Sequence, residues 1–385
     1  MTTIFYAEPE LVVALNSKIV FVNPNDLQIF KEVFIPEDLT EHGLKPFTLE
    51  ENHDEVEKTD EKNSKNQPTE SESKEKVNIQ HVSLSPNGQL LAVTTSGQKA
   101  LLLYQCRLEH AKLVSVRSLA RISSALTFAS DSSKLLVTDK TGDCYEYDCI
   151  NMSSVPRLLL GHLSIVYDVL WTADQKFIIT CDRDEKIRIT NYPKTYEIHG
   201  YCLGHTEFVS GLALLSHDAL VSVSGDKSLR LWDYKNCKEQ AKIDLPAPGL
   251  KISHRKLSEN SHQVAVLLYQ PNESVAIYNI NRTETSGWNI SEHVVLNFPE
   301  MCISNLCFAK DRLYLAAIVD NHLQLSVANL PESSPVPDNW LDMLQEQFQD
   351  DIWTPEDVSA RFKKHFDNVS DYLERKRKRI EETQK

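Results

Sequence analysis

The sequence predicts an all-β fold: a seven-bladed β-propeller of the WD40 type, with a disordered acidic insert and a C-terminal helical extension. The first observation is the frame of residues 202–234, which open with Gly204-His205 and close with Trp232-Asp233, as a propeller blade does. The second is repetition, because residues 159–192 show the same order of Gly-His, alternating apolar residues and an aspartate turn. Together they indicate stacked sheets of short strands.

The period of the repeat is regular across the middle of the chain. Thr190 lies 42 positions before Trp232, and the same column continues at two further steps of 43, to Tyr147 and Tyr104. Degenerate units end near Val22, Tyr278 and Ser326. Seven such units predict a closed ring over residues 1–330, in which no sheet edge is left open.

One stretch does not fit the period. Between the first and second units, residues 50–76 are polar, acidic and free of aromatic side chains. They cannot bury enough apolar surface to offset the entropy of ordering, so we expect a disordered acidic insert.

A C-terminal extension, residues 331–385, follows the ring. Thr354 as N-cap with Pro355 after it predicts a helix start. An apolar stripe follows at helical spacing and predicts docking on the propeller or on a partner. It is made of Phe362, Phe366, Val369 and Leu373.

Charge is unevenly distributed. The chain carries a net charge of −14, whereas residues 361–385 hold nine Lys or Arg and five acids, a local +4. The other 360 residues therefore carry −18. An acidic body with a basic end predicts that the tail, and not the body, meets a polyanion.

The sequence argues against an enzyme. It has no GxGxxG, no GxxxxGK[ST] and no GxSxG, and only 11 glycines for phosphate-binding loops. The eight cysteines include no CxxC pair, so we expect reduced, mostly buried thiols and no metal site. No apolar run reaches the length of a membrane span, and the N-terminus lacks the pattern of a secretory signal. We expect no cofactor and no membrane partner.

Two sets of residues resemble a hydrolase triad and have a structural interpretation. His205, Ser222 and Asp226, with Trp232, occupy the positions that lock a WD-type blade through hydrogen bonds. The preceding blade offers a second set, in which Thr190 replaces the tryptophan. It consists of His162, Thr180 and Asp184.

Two charged stretches remain after the fold is accounted for. In "DRDEKIR", residues 182–188, only Asp184 is assigned to the blade turn, so the other charges form either a solvated surface or a docking site for a protein. "RKRKR", residues 375–379, is either a solubilising helix end, a nuclear-import signal or a contact to phosphates without base stacking.

These phrases carry a resemblance to a known family. "LGHLSIVYDV", "DRDEKIRI", "CLGHTEFVS", "SGDKSLRLW" and "FDNVSDYLERKRKR" resemble the WD-repeat, non-catalytic subunit of the eukaryotic tRNA (guanine-N7-)-methyltransferase, the wuho family. The resemblance covers roughly 80–235 and 361–379. It implies a heterodimer in which a separate Rossmann-fold subunit binds S-adenosylmethionine and methylates tRNA, while the propeller keeps that subunit in an active shape.

The resemblance also implies site residues. The catalytic subunit would dock on the side of the middle blades, and tRNA would be reached by the C-terminal tail. The implied partner-binding residues are Lys140, Arg183, Glu185, Lys186 and Arg188. The implied RNA-binding residues are Arg375, Lys376, Arg377, Lys378 and Arg379.

Two function classes follow. The first is an accessory subunit for RNA modification, located in the nucleus and also in the cytoplasm. The second is a nuclear WD-repeat scaffold or adaptor of the chromatin or ubiquitin-ligase type, whose basic tail serves only for import. Co-purification with a methyltransferase in near-equal amount distinguishes them.

Overall fold

The molecule is built from seven antiparallel sheets arranged as a ring, in a computed structural model. The structure describes residues 3–24, 28–49, 76–107, 110–216, 218–269, 274–283, 287–298, 301–328, 330, 346, 348, 357–363, 376 and 377. Residues 50–75 of the expected insert lie outside this set, as do Phe366, Val369 and Leu373 of the expected stripe. The prediction of a seven-bladed propeller is confirmed.

Each blade is a meander in which consecutive strands pair. Blades 1 and 2 contain β1 (Thr3–Ala7), β2 (Glu10–Leu15), β3 (Lys18–Val22), β4 (Ile29–Phe34), β5 (Asn78–Leu84), β6 (Leu90–Ser96), β7 (Ala100–Arg107) and β8 (His110–Ser118). Blades 3 and 4 contain β9 (Ser123–Phe128), β10 (Lys134–Asp139), β11 (Asp143–Asp148), β12 (Arg157–Gly161), β13 (Val166–Trp171), β14 (Phe177–Asp182), β15 (Ile187–Asn191) and β16 (Ile198–Cys202).

The remaining blades follow the same order. Blades 5 and 6 contain β17 (Val209–Leu214), β18 (Ala219–Ser224), β19 (Ser228–Asp233), β20 (Lys238–Asp244), β21 (Gly249–Ser258), β22 (Ser261–Leu268), β23 (Ser274–Thr283) and β24 (Gly287–Asn297). Blade 7 contains β25 (Cys302–Ala309), β26 (Arg312–Val319) and β27 (His322–Ala328).

The periodic column of the sequence falls on one strand of every blade. Trp232, Thr190, Tyr147 and Tyr104 all lie on the third strand, opposite equivalent residues of the second. Val22, Tyr278 and Ser326 also lie on third strands. The repeat unit is offset from the blade by one strand, because its Gly-His follows the outer strand of the preceding blade.

The ring closes through its inner strands and the apolar side chains between blades. The first strand of every sheet contacts the first strands of its two neighbours, including β1 with β25. One buried cluster joins blades 1 and 7 and includes Leu11, Val20, Tyr314 and Phe348. The blades are therefore held by burial of apolar area, the main favourable term in folding.

At residues 357–363 the C-terminal extension differs from the helix that the sequence predicts. Over residues 357–363 it forms one 3-10 turn, Val358–Arg361, capped by Asp357, and Phe362 continues as extended backbone, whereas Lys376 and Arg377 are helical. The helix predicted to start at Thr354 is not confirmed: residues 354–356 lie outside the described residues, and the described Phe362 is extended. The carboxylate of Asp357 accepts from the backbone N–H (2.9 Å) and the hydroxyl (2.6 Å) of Ser359, which competes with a longer helix.

Candidate functional site

The blade 5 network is built around a buried histidine. His205 Nδ1 lies 2.9 Å from Asp226 Oδ2, and its Nε2 lies 2.7 Å from Ser222 Oγ, which also accepts from Trp232 Nε1 at 2.8 Å. Burial lowers the pKa of His205, against the opposing effect of Asp226. Although burial alone would raise it, the hydrogen bond from His205 lowers the pKa of Asp226. Ser222 is fully buried, so this set holds strands together and offers no nucleophile to a substrate.

The blade 4 network corrects one assignment. His162 pairs with Thr180 as expected (2.8 Å), but its carboxylate partner is Asp182, with Nδ1 2.9 Å from Oδ2. Asp184 is not that partner. Asp182 ends β14 and its other oxygen accepts from Lys186 N at 3.0 Å, so its side chain spans the turn. Thr190, which stands in place of the tryptophan, is buried, and its hydroxyl makes no hydrogen bond in the described structure.

The charged turn, residues 182–188, joins β14 to β15 on the face where each blade also connects to the next. Arg183 N donates to Ile165 O (3.0 Å), which ties the turn to that connection. Glu185 has φ +70°, the left-handed region that non-glycine residues enter at a cost of about 1–2 kcal/mol. Blade 3 has Gly142 (φ +104°) at the equivalent place and blade 5 has Lys227 (φ +63°). The fold therefore needs the backbone shape here and not the carboxylate.

The partner-binding residues expected from the sequence share this face but differ in exposure. Lys186 is exposed, as is Lys140 at the equivalent turn of blade 3. Arg188 is half-buried, and its guanidinium donates to Gly161 O at 3.1 Å, so it links the third strand of blade 4 to the outer strand of blade 3. Burial lowers its pKa.

Apolar side chains next to Arg188 were missed by the sequence reasoning. Tyr201 is paired with Arg188 across the ladder between β15 and β16, and Leu203 follows two residues later. Leu163 lies two residues beyond Gly161 and is fully exposed. We call Leu163, Tyr201 and Leu203 the apolar rim. No repeat period or sequence motif identifies these residues. Only the fold shows that their side chains are exposed.

The charged turn also contacts the chain's own C-terminal extension. Residues 357–363, the docked segment, lie against it: Lys363 Nζ pairs with Glu185, and Arg183 donates to Ala360 O at 3.4 Å. The hydrogen bond to Glu185, with Glu207 and Asp184 nearby, raises the pKa of Lys363. Two charges of the turn, Arg183 and Glu185, therefore contact the chain's own C-terminal extension.

Aromatic contacts hold the docked segment. The Phe362 ring lies 5.1 Å from that of Phe208 and 5.7 Å from that of Tyr269. The Arg361 guanidinium lies 5.1 Å from the Tyr167 ring centre, a cation–π contact. The segment thus spans blades 4 to 6.

Below the docked segment, a cavity of about 540 Å³ opens into the ring. Asp168 lies in its wall, and its two oxygens accept from Val169 N and Leu212 N, each at 2.9 Å. Burial raises the pKa of Asp168 to about 6, in spite of these two bonds. Because these hydrogen bonds join β13 of blade 4 to β17 of blade 5, Asp168 stabilises the contact between the two blades.

The described part of the chain holds no metal cluster or membrane-spanning helix. Its His, Cys, Asp and Glu side chains form no group of three that could hold a metal ion. All eight cysteines are described, all are free thiols, and six of them are buried. No helix among the described residues is long and apolar enough to cross a membrane. Of the basic run 375–379, only Lys376 and Arg377 are described; both are exposed.

Comparisons with known proteins were made by sequence and by structure. The family model "tRNA methyltransferase TRM82 WD40 domain" matches residues 38–157 and 151–331. The tRNA (guanine-N(7)-)-methyltransferase non-catalytic subunit wuho of Drosophila grimshawi is 54% identical over 386 residues, 99% of each chain. The Drosophila melanogaster protein of the same description is 47% identical over 420 residues, 100% of this chain and 98% of the other.

A solved structure supports the fold alone. One chain of a crystal structure of the mitotic checkpoint complex superposes with a TM-score of 0.64. The match covers 86% of this chain and 87% of that one, at 12% identity.

Proposed function

This chain belongs to the TRM82 WD40 family and is the non-catalytic subunit of a tRNA (guanine-N(7)-)-methyltransferase; we propose that it holds the catalytic subunit through the charged turn and contacts tRNA through its basic tail. The catalytic subunit, of Rossmann fold, supplies the S-adenosylmethionine site. The propeller supplies a rigid surface that keeps this subunit in its active shape.

The observation that carries the proposal is the state of Glu185. The residue is partly exposed and keeps a left-handed backbone conformation in which glycine would be free of strain. The blade does not require its carboxylate, because Asp182 already completes the histidine network. Lys227 has the same backbone conformation in blade 5, so the feature that supports a binding role for Glu185 is its partly exposed carboxylate among the charges of the turn.

The surroundings of Glu185 suit a protein partner. Lys140, Arg183, Lys186 and Arg188 add positive charge along the same face. The apolar rim lies beside Arg188, so the surface combines apolar area with charges of both signs. Charges at the edge of such a surface set orientation and association rate, while apolar area provides most of the affinity.

The tail extends the proposal to RNA. Arg375, Lys376, Arg377, Lys378 and Arg379 are five consecutive cations. Each phosphate that they neutralise would release counterions and steepen the salt dependence of affinity. We place the complex in the nucleus, where the same run serves import, and also in the cytoplasm.

The test is the affinity of the chain for its catalytic subunit, measured by calorimetry with Glu185→Gly. Glycine relieves the backbone strain, so we expect the free energy of unfolding to change by less than about 1 kcal/mol. We expect Kd to rise about ten-fold, since losing a partly exposed charge pair costs about 1–2 kcal/mol.

The matched control is Lys227→Gly, which relieves the same conformation in blade 5. It should leave Kd unchanged. Equal affinities of the wild type and the Glu185→Gly variant would refute the role of the charged turn.

A further inference from the structure

The docked segment, residues 357–363, is fixed at one place on the ring by contacts of three kinds. Phe362 packs on Phe208 and Tyr269, Arg361 stacks on Tyr167, and Lys363 pairs with Glu185. Lys363 N also donates to Glu207 at 3.4 Å. The apolar contact, the cation–π contact and the charge pair all lie on blades 4 to 6, beside the charged turn.

The segment changes the charge of this face. Asp184, Glu185 and Glu207 all interact with the Lys363 ammonium. Without Lys363, these three carboxylates would lose one of the cations that face them, and the surface would become more negative and less favourable for phosphates. The docked segment therefore covers negative charge on the face where the tail begins.

The position of the segment along the chain gives it a second effect. The basic run starts at Arg375, only 12 residues after Lys363. The preceding described residue that is buried in the ring is Phe348, in the cluster between blades 1 and 7. In a seven-bladed ring, the junction of blades 1 and 7 lies opposite blade 4. Phe348, at that junction, is 27 residues before Arg375.

We propose that residues 357–363 are an anchor that fixes the root of the basic tail beside the charged turn, so that the cations at 375–379 reach tRNA held by the catalytic subunit. The inference rests on the proposed function. Phe362 and Lys363 are positioning residues: they act through the tail and touch no RNA themselves.

The expected magnitude follows from tether length. Effective concentration falls roughly as the −3/2 power of the length of a flexible linker. Releasing the anchor moves the last residue held on the ring from 12 to 27 positions before the basic run; a flexible linker lengthened by that amount would lower the effective concentration of the tail about three-fold. Removing the Lys363 ammonium from the three carboxylates acts in the same direction. We therefore expect the Kd for tRNA to rise about three-fold or more, and to stay below the Kd of a complex without the tail.

The experiment uses the heterodimer with five variants of this chain: Phe362→Ala, Phe362→Leu, Lys363→Glu, deletion of 375–385, and Phe362→Ala combined with that deletion. Hydrogen exchange over 357–363 reports whether the segment is docked. The Kd for tRNA is measured at two salt concentrations. Lys242→Glu, on the outer strand of blade 5, is the control for the change in charge.

The anchor predicts that Phe362→Ala and Lys363→Glu speed exchange and weaken tRNA binding, whereas Phe362→Leu and Lys242→Glu do neither. It also predicts that Phe362→Ala has no effect once 375–385 are deleted. If exchange rises in Phe362→Ala while the Kd for tRNA stays at the wild-type value, the anchor is refuted and the tail keeps its role. If deletion of 375–385 itself changes neither affinity nor salt dependence, the role of the tail in RNA binding is refuted, and that of the anchor with it.

Discussion

Asp182, and not Asp184, holds the blade 4 network, and this predicts a large difference between two neighbouring alanine variants. Asp182 is almost fully buried; it accepts from His162 Nδ1 at 2.9 Å and from Lys186 N at 3.0 Å. A hydrogen bond to a charged group contributes about 1.5–3 kcal/mol, and a buried donor left unpaired costs about 1–3 kcal/mol. Since Lys186 N can be reached by water in the variant, we expect Asp182→Ala to lose about 3 kcal/mol in total.

Asp184 gives the contrast. Its side chain is partly exposed and interacts with Lys363 across the surface, so Asp184→Ala should cost less than about 1 kcal/mol. Unfolding entropy is about 2.1 cal/mol/K per residue, so for a ring of roughly 300 residues a loss of 3 kcal/mol lowers Tm by about 5 °C. Asp184→Ala should lower it by less than about 2 °C.

Calorimetric melting of the isolated chain measures both variants, and circular dichroism at 20 °C checks that each is folded. The reasoning is refuted if Asp184→Ala lowers Tm as much as Asp182→Ala. It is also refuted if the Tm of Asp182→Ala equals that of the wild type, since the pair with His162 would then contribute nothing to stability.

Two further predictions concern blades 3 and 4. A side chain at Gly142 would meet His162 O and Ser164 O, each at 2.6 Å, and the φ of Gly142 is +104°. Gly142→Ala should therefore lower Tm by several degrees. It should also weaken binding of the catalytic subunit, because it moves the loop that carries Leu163. Unchanged melting would contradict this. Burial raises the pKa of Asp168 to about 6, so the folded state keeps a proton that the unfolded state releases near pH 4. The wild type should therefore lose stability relative to Asp168→Asn as the pH rises from 4 to 7, as Tm values of both proteins across that range will show; a relative gain would contradict it.

The sequence was sufficient for the fold because the repeat is periodic. The column through Trp232, Thr190, Tyr147 and Tyr104 lands on the third strand of four successive blades. Alternation of apolar residues sets which face of a strand is buried, and the period sets where the next blade starts. Both are local properties, so they can be read without the three-dimensional structure.

The histidine partner could not be predicted in the same way. Alignment places Asp184 in the column of Asp226, with Asp182 in that of Ser224. Two carboxylates flank Arg183, and only the path of the turn decides which one reaches the ring of His162. In blade 5 the residue at the column of Asp182 is Ser224, whose shorter side chain accepts from Asp226 N at 3.1 Å. The histidine of that blade therefore pairs with Asp226.

The contacts of the docked segment lie beyond sequence reasoning for a different reason. Glu185 and Lys363 are 178 positions apart, and neither stretch of sequence contains a pattern that identifies the other as its contact partner. Phe362 was expected on a helical stripe, whereas its ring packs between Phe208 and Tyr269. The burial available to Phe362 on the ring is a tertiary property, which the local sequence does not show.

The most direct test of the account is a titration of methyl transfer to guanine N7 of tRNA. The catalytic subunit is held at fixed concentration and this chain is added, as wild type or Glu185→Gly. At saturating tRNA, we predict no activity from this chain alone, a rise to a plateau at one chain per catalytic subunit, and for the variant the same plateau at about ten-fold higher concentration. Methyl transfer by this chain alone, or a titration in which the wild type and the variant coincide, would contradict the account.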